Sequence, residues 1–261
     1  MLMLSIVINM ISSLTFDDIS PAYIASSKLE RLIEFLNELD VQCTFFVVPS
    51  SLEDQEFISH LKMTCMYGHE LALHGYLHVK NEFGVLYPIP LPLSIPSLET
   101  QRERLEKGIE KMLTITGVNP LGFRAPYYLH NNATFKALSS LGFRYDSSST
   151  LFKPAHKLRL RLRWARRLKP FVTNGVVEIS VSGDYTYNLE NNNLSFPLRR
   201  ALKDFEWVGS NGGVFVLNNH PQRFNENSYL FLRALVKKLS KQTDFLRLCD
   251  VVEIFLRSKG V

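Results

Sequence analysis

Cysteine is scarce in this sequence of 261 residues, with only Cys43, Cys65 and Cys249 present. The number is odd, and the spacings match neither a disulfide framework nor a thiolate metal site. The sequence therefore argues against a disulfide-stabilised scaffold and against a cysteine-ligated zinc module. Buried, reduced thiols of a cytosolic protein are the plain interpretation.

Long hydrophobic runs are also missing, since none reaches the ~18 apolar residues that a membrane span needs. The first ten residues are apolar but lack a basic segment and an obvious cleavage site. This pattern predicts a strand and not a signal peptide, so we expect a cytoplasmic protein without a transmembrane segment.

Internal repeats, low-complexity tracts and linkers are absent as well. A hydrophobic content of 46% and a charged content of 21% are those of an ordinary globular protein. The length suits one large domain covering residues 1–261. The net charge of +5 hints only at a preference for anionic partners.

Hydrophobic periodicity predicts alternating strands and helices. The predicted strands are Leu14–Phe16 (favoured over Leu4–Asn9 as the first core strand), Val41–Val48, Leu71–Leu73, Phe143–Asp146, Val176–Val181 and Gly213–Leu217. The predicted helices are Lys28–Leu39, Asp54–Tyr67, Ser97–Thr116, Asn132–Leu141, Leu194–Trp207 and Ser228–Leu239, with a last helix near the C-terminus. This alternation favours an α/β fold with parallel strands and helical crossovers.

Two segments interrupt this pattern. Residues 84–97 contain four prolines and are expected to form a loop insertion. Residues 153–169 carry eight lysines and arginines, which fits a solvated face or a grip on an anionic substrate or lipid surface. No recognisable nucleic-acid module accompanies this basic segment, so no nucleic-acid partner is expected.

The chemical signal that organises the rest is His74-x-x-x-His78. Two imidazoles four residues apart share one face if a helix follows His74. Neutral imidazoles are ligands for zinc and similar divalent metals. Taken alone, the spacing is equally that of two unrelated histidines.

Other polar residues also follow predicted strands, namely Asp17-Asp18, Arg124, Asp146 and His220. In a barrel of parallel strands the carboxyl ends share one face, where sites are built. These side chains and the histidine pair are therefore expected to meet. Adjacent residues of an extended chain point to opposite sides, so Asp17 and Asp18 should have different roles.

Four short motifs occur in the order found in one known family. They are Thr15-Phe16-Asp17-Asp18, His74-Gly75-Tyr76-Leu77-His78 with the preceding Gly68-His69-Glu70-Leu71, Arg124-Ala125-Pro126-Tyr127, and Leu217-Asn218-Asn219-His220. In these motifs the chain resembles the polysaccharide deacetylase superfamily, also called the NodB-homology domain or carbohydrate esterase family 4. The resemblance implies a distorted (β/α)7-type barrel of parallel strands in a single domain.

The resemblance also implies a metal-dependent hydrolase that removes an acetyl or similar acyl group from an amide nitrogen, as in an N-acetylated sugar. Asp18, His74 and His78 would hold the divalent metal, Zn²⁺ first and Co²⁺, Ni²⁺ or Mn²⁺ as alternatives. Three protein ligands with an open position describe a catalytic metal site and not a structural one.

The remaining motif residues receive catalytic roles from the same resemblance. Asp17 would be the general base, Arg124 would keep it charged, and His220 would be the general acid. Backbone around Pro126-Tyr127 would bind the oxyanion. The tryptophan-rich fourth motif of the family is not recognisable, and Asp146 is the nearest candidate for orienting His220.

A glycine, Gly75, replaces the usual Ser or Thr, so a supporting hydrogen bond in the metal loop is expected to be missing. The substrate stays open among an acyl-sugar, a nucleotide sugar, a lipid-linked sugar and a linear amide, and it could be anionic. Two other functions also stay open: a metal- or carbohydrate-binding domain without turnover, and a peripheral membrane module acting through the basic segment.

Overall fold

The computed structural model describes residues 10–84, 95–151, 167–187, 189 and 194–260. The strands are β1 Met10–Ile19, β2 Cys43–Val47, β3 Glu70–Leu73, β4 Gly122–Phe123, β5 Tyr145–Asp146, β6 Phe171–Thr173, β7 Val176–Glu178, β8 Gly183–Asp184, β9 Val214–Asn219 and β10 Thr243–Phe245. The helices are α1 Ser26–Glu38, α2 Gln55–Met66, α3 Leu98–Thr116, α4 Asn132–Ser140, α5 Ser195–Ser210, α6 Glu226–Leu239 and α7 Leu248–Lys259. The predicted alternation of strands and helices is confirmed.

The strands form one sheet in the order β6-β7-β5-β4-β3-β2-β1-β9-β8, with β10 beside the start of β1. Every pairing is parallel except that of β6 with β7. The path ends at β6 and β8, and the stretch 176–184 joins its two sides, because β7 pairs with β5 while β8 pairs with β9. The sheet therefore curls until its ends meet, and the described residues build the predicted distorted barrel of parallel strands.

Alternation along β1 separates the two sides of the barrel wall. Leu14 and Phe16 are fully buried in the apolar layer under the helices, and each such side chain contributes roughly 1.5–3 kcal/mol. Thr15 points the other way and accepts a hydrogen bond from Arg124 Nη1 at 2.9 Å. The interior of the barrel is thus polar near the carboxyl ends of the strands.

The opposite end of the barrel is closed by α7. Leu248, Val251 and Val252 of this helix belong to an inner apolar cluster with residues of β2, β3, β5, β7 and β9. The N-terminus of α7 is capped from the barrel, because Leu248 N donates to Thr44 Oγ1 and Cys249 N to Glu70 Oε2. Only the carboxyl end is then left for a site.

Two helix boundaries follow the sequence signals closely. The Ser97 hydroxyl accepts a hydrogen bond from Thr100 N and begins α3, and Gly117 ends it with φ +76°. The left-handed conformation is one that glycine adopts at little cost, so the predicted cap and stop are both confirmed.

The condition that a helix follows His74 is not met. Gly75 and His78 have φ values of +68° and +59°. Left-handed residues cannot continue a right-handed helix, so residues 74–82 form a loop. The two histidines are brought together by this loop and not by a helix face.

Some predictions lie outside the described residues. They are the strand Leu4–Asn9, most of the proline-rich insertion and nearly all of the basic segment. Across the described ranges, no helix combines the length and apolar character needed to cross a membrane. The cytoplasmic location stays a prediction.

Candidate active site

The end of β1 carries two adjacent carboxylates, Asp17 and Asp18. The register between β1 and β2 shifts between Phe16 and Ile19, and Asp18 has φ +60°. This bulge turns both side chains toward one opening, where Asp17 Oδ2 lies 4.0 Å and Asp18 Oδ1 3.4 Å from His74 Nε2. The expectation that they point to opposite sides is therefore wrong, although their partners differ.

Asp18, His74 and His78 form a compact cluster. Their potential ligand atoms lie within 4.8 Å of one another, and Asp18 Oδ1 is 2.8 Å from His78 Nε2. The other ring nitrogens are occupied, since His74 Nδ1 lies 2.8 Å from Arg124 O and His78 Nδ1 lies 3.0 Å from Tyr23 OH. Both Nε2 atoms are thereby directed at the same carboxylate oxygen.

The donor set fits a divalent metal. Asp18 Oδ1 is buried and accepts no well-aligned hydrogen bond, which is costly for a carboxylate oxygen without a cation. Gln222 Nε2 donates to the other oxygen, Oδ2, and leaves Oδ1 free for a ligand. One carboxylate and two imidazoles are a common ligand set for catalytic zinc.

The electrostatics of the cluster favour an ionised carboxylate. Burial alone would raise the pKa of Asp18, but the adjacent His74 and His78 rings and the charges of His74 and His220 lower it far below its usual range. For His74, burial acts to lower the pKa, and the charges of Asp17 and Asp18 outweigh burial and raise it. Asp18 therefore stays negative and ready to bind a cation across the neutral pH range.

Asp17 is held by a buried network. Arg124, which is fully buried, donates from Nη1 to Asp17 Oδ1 at 2.7 Å and to Asn218 Oδ1 at 2.8 Å. Asn218 Nδ2 in turn donates to Asp17 Oδ2 at 2.6 Å. The guanidinium also donates to Ser147 O and Ser147 Oγ. Its Cζ lies 4.0 Å from the centroid of the Phe46 ring. The orientation of Asp17 is thus determined by its neighbours.

His220 follows β9 and faces the cluster from the other side. Its Nε2 lies 3.9 Å from Asp18 Oδ2, and its Nδ1 lies 2.7 Å from Asp184 Oδ2. Burial acts against the charged ring, but the hydrogen bond and charge of Asp184, with Asp17 and Asp18, raise the pKa of His220 to about 9. A protonated ring at neutral pH suits a proton donor.

The assignment of Asp146 as the partner of His220 is wrong, because Asp184 occupies that position. The neighbouring Tyr145 belongs to the inner cluster, so Asp146 faces the outside of the barrel wall. There it accepts hydrogen bonds from Ser148 N at 3.0 Å and Ser148 Oγ at 2.6 Å. Its contribution is to hold the loop after β5, whose Ser148 also accepts from Ala125 N.

The carboxyl group of Glu178 lies beside Asp146 and is completely buried. Burial and the charge of Asp146 raise the pKa of Glu178 well above its usual value. Ser149 N donates to its Oε1 at 2.9 Å, and its Oε2 has no hydrogen-bond partner. Glu178 therefore holds its proton more strongly in the folded protein than an exposed glutamate does.

Replacing Glu178 by glutamine should flatten the pH dependence of stability. A carboxyl with a raised folded pKa stabilises fully below its unfolded pKa and loses that stability as pH rises through the folded value, at up to about 1.4 kcal/mol per pH unit. Urea unfolding between pH 5 and 9 should show that the free energy of unfolding of Glu178→Gln increases relative to that of the wild type as the pH rises. The same change at exposed Glu103 on α3 is the control, and parallel curves for wild type and Glu178→Gln would contradict the prediction.

Pro126 and Tyr127, predicted to border the oxyanion position, form a 3-10 turn after β4. Tyr127 has φ +55°, and its ring centroid lies 4.9 Å from that of His78. The turn thus stands directly beside the ligand cluster. Its part in oxyanion binding stays a prediction.

Several site residues were missed by the sequence analysis, namely Tyr23, Glu82, Asp184, Asn218 and Gln222. Asn218 and Gln222 flank His220 in the sequence, so their proximity to the predicted site was a usable signal. Asp184 lies 36 positions from its partner, and no local pattern marks it.

A barrel of parallel strands with these groups at its carboxyl ends belongs to the class of α/β-barrel proteins that carry a site at this end. Residues 9–145, just over half of the sequence, match the family model for polysaccharide deacetylase. The chain therefore belongs to the polysaccharide deacetylase family, as the motifs predicted.

Known proteins give the same assignment. A peptidoglycan deacetylase from Helicobacter pylori is 30% identical over 133 residues, which is 51% of this chain but only 41% of that protein. A candidate polysaccharide deacetylase from Mycobacterium smegmatis has the same fold, with a TM-score of 0.71 at 21% identity over 97% of this chain and 92% of that one. A carbohydrate esterase family 4 pseudoenzyme from Bacillus anthracis has a TM-score of 0.60 at 16% identity over 94% and 66% of the two chains.

Proposed function

We propose that this protein is a metal-dependent deacetylase that hydrolyses the N-acetyl group of an amino sugar or related carbohydrate. The observation that carries the proposal is the Asp18-His74-His78 cluster flanked by two oriented proton-transfer groups. Asp17 lies on one side, 4.0 Å from His74 Nε2, and His220 on the other, 3.9 Å from Asp18 Oδ2. A purely binding site would need neither flanking group.

Asp17 acts as the general base in this proposal. Its carboxylate is fixed by Arg124 and by Asn218, so an oxygen is held ready to accept the proton of the attacking water. The buried guanidinium gives this carboxylate a charged partner away from solvent.

His220 acts as the general acid. Asp184 accepts from Nδ1, so Nε2 presents the proton to the leaving amine. The backbone at the Pro126-Tyr127 turn is proposed to donate to the developing oxyanion. The products are the free amine and acetate, or another small carboxylate if the acyl group differs.

The bound metal supplies the Lewis acidity that activates water and polarises the acyl carbonyl. We propose Zn²⁺ as the native ion, because two imidazoles and one carboxylate suit it, with Co²⁺, Ni²⁺ and Mn²⁺ as alternatives. The candidate ligand atoms of Asp18, His74 and His78 lie within 4.8 Å of one another, which supports their binding a single ion.

The side chains around the opening of the site favour a negatively charged carbohydrate as the substrate. Tyr127 and Tyr187, which are 40% and 47% exposed, stand beside His78 and His220. Exposed aromatic rings of this kind can bind the apolar face of a sugar. A cation accompanies each ring, with Lys80 Nζ 6.0 Å from the Tyr127 centroid and Arg223 Cζ 4.2 Å from the Tyr187 centroid.

The proposal is tested by screening metal-loaded protein against N-acetylated sugars, both neutral and anionic, with release of acetate as the readout. We expect acetate release that depends on about one bound ion per chain. His74→Ala should abolish both metal binding, measured by elemental analysis, and turnover, because it removes a central ligand. Lys136→Ala, at an exposed position of α4, serves as the control. Turnover that persists in metal-free protein would refute the proposal.

A second candidate function is a carbohydrate-binding domain without turnover. It is favoured by one comparison, the fold similarity to the Bacillus anthracis pseudoenzyme. The paired orientation of Asp17 by Arg124 and of His220 by Asp184 speaks for the enzyme. The same acetate assay separates the two, since a binding domain would retain sugar and metal without releasing acetate.

A further inference from the structure

The loop that carries His78 has no regular structure, yet the proposed site needs this imidazole in one position. Residues 74–82 contain two left-handed residues and form neither helix nor strand. A loop of this kind needs partners for its backbone groups, because buried N–H groups without acceptors are destabilising. The N–H groups of this loop therefore need acceptors from elsewhere in the protein.

One buried carboxylate satisfies four successive N–H groups of this loop. Glu82 Oε1 accepts from Tyr76 N at 2.6 Å and Leu77 N at 3.0 Å. Glu82 Oε2 accepts from His78 N at 2.8 Å and Val79 N at 3.4 Å. The side chain is only 1% exposed, so these charge-assisted bonds are shielded from water.

Gly75 leaves the space that this carboxylate occupies. A Cβ at position 75 would lie 2.7 Å from Glu82 Oε2 and 2.7 Å from Pro126 Cγ. The φ of +68° is itself unfavourable for any residue with a side chain. The departure from Ser or Thr at this position therefore does not leave the loop unsupported, because the glutamate takes over the support.

Glu82 is anchored in turn from the helices outside the barrel. Arg104 Nη1 of α3 donates to the Glu82 carbonyl at 2.6 Å. The next residue, Phe83, is buried against Phe123, and its carbonyl accepts from Asn131 Nδ2 at 3.0 Å. The carboxylate is thus held on a rigid frame and can impose its geometry on the loop.

We propose that Glu82 is a positioning residue that preforms the metal-binding loop and places His78 opposite Asp18. This inference rests on the metal site of the proposed function. The glutamate does not ligand the ion, because its oxygens face the backbone of residues 76–79. It acts by fixing one of the three ligands before the ion arrives, which lowers the conformational cost of binding.

The test compares Zn²⁺ affinity of the wild type and Glu82→Gln by competition with a chelating dye. Glutamine keeps the shape, but its NH₂ group replaces an oxygen and faces N–H donors. We expect the dissociation constant to rise about 10- to 100-fold, as for other residues that orient ligands. At saturating Zn²⁺, kcat should recover most of its value.

Glu70→Gln is the matched control, because Glu70 is also buried and accepts several hydrogen bonds but caps α7 at the opposite end of the barrel. It should lower thermal stability and leave the Zn²⁺ dissociation constant unchanged. If Glu82→Gln does not fold, Glu82→Asp carries the test, with a smaller loss of affinity expected because the charge is retained.

The possible failures are distinguishable. A wild type that binds no metal refutes the proposed function. A wild type that binds metal, together with Glu82→Gln or Glu82→Asp of equal affinity, refutes only the role of Glu82. Gly75→Ala provides a further check, since its Cβ would meet Glu82 Oε2 and Pro126 Cγ and should weaken Zn²⁺ binding.

Discussion

Asp17→Asn is expected to reduce kcat/KM for an N-acetylated sugar by about 10²–10⁴-fold, the usual contribution of a positioned general base. The amide is isosteric with the carboxylate but cannot accept a proton at neutral pH. Arg124 and Asn218 both donate to this side chain, so the amide NH₂ meets a donor on one side and folding must be checked in parallel. The measurement is steady-state kinetics of acetate release at saturating metal.

The adjacent residue supplies the control for this experiment. Asp17→Asn should retain the metal, because Asp17 is outside the ligand cluster, whereas Asp18→Asn should weaken metal binding. Thermal melting is needed in parallel, since the change leaves the buried Arg124 without its charged partner. A folded, metal-loaded Asp17→Asn protein with unchanged kcat/KM would remove Asp17 from the mechanism.

The positions of the metal cluster could be predicted because they are marked locally. Asp18 and His74 each follow a strand that the sequence reveals through its apolar residues. Parallel strands bring their carboxyl ends together whatever the detailed packing. Strand ends predict that the Asp17-Asp18 pair and the two histidines meet, whereas the choice of Asp18 with His74 and His78 as ligands comes from the family resemblance.

The geometry that brings the cluster together could not be predicted in the same way. The bulge at Asp18 and the left-handed turn at His78 are departures from regular structure. Their stability comes from contacts made by other segments, such as the carboxylate of Glu82 and the carbonyl of Arg124. The pattern of strands and helices in the sequence does not indicate such contacts between distant segments.

The partner of His220 is a second contact that the sequence pattern did not predict. Asp146 is at the end of a strand, as predicted, but strand position does not determine which side of the wall a side chain faces. Tyr145 takes the interior position because its hydroxyl donates to buried Glu70 at 2.9 Å. Asp146 must then face outward, and Asp184, on the neighbouring strand of the closed barrel, fills the position beside His220.

The second large effect is expected for Asp184→Asn, which should lower kcat/KM by at least about 10²-fold at neutral pH. Asp184 Oδ1 accepts from Thr186 N and Tyr187 N, so the amide oxygen should keep that place and turn its NH₂ toward His220 Nδ1. His220 Nδ1 must then accept a hydrogen bond from this NH₂. This disfavours the tautomer with a proton on Nδ1, which is the one that remains after Nε2 has donated its proton. The loss of the carboxylate also removes the largest cause that raises the pKa of His220.

The pH dependence separates this explanation from a general loss of structure. His220 must be protonated to act as an acid, so activity falls as pH rises through its pKa, which is about 9 in the wild type. Asp184→Asn should move this alkaline limb of the kcat/KM profile to lower pH, because the charged ring is less stabilised. Asp40→Asn, at an exposed position before β2 at the amino end of the barrel, should leave the limb unmoved. An Asp184→Asn profile with the wild-type limb would show that another group sets the proton supply, and His220 would then lose its role as the acid.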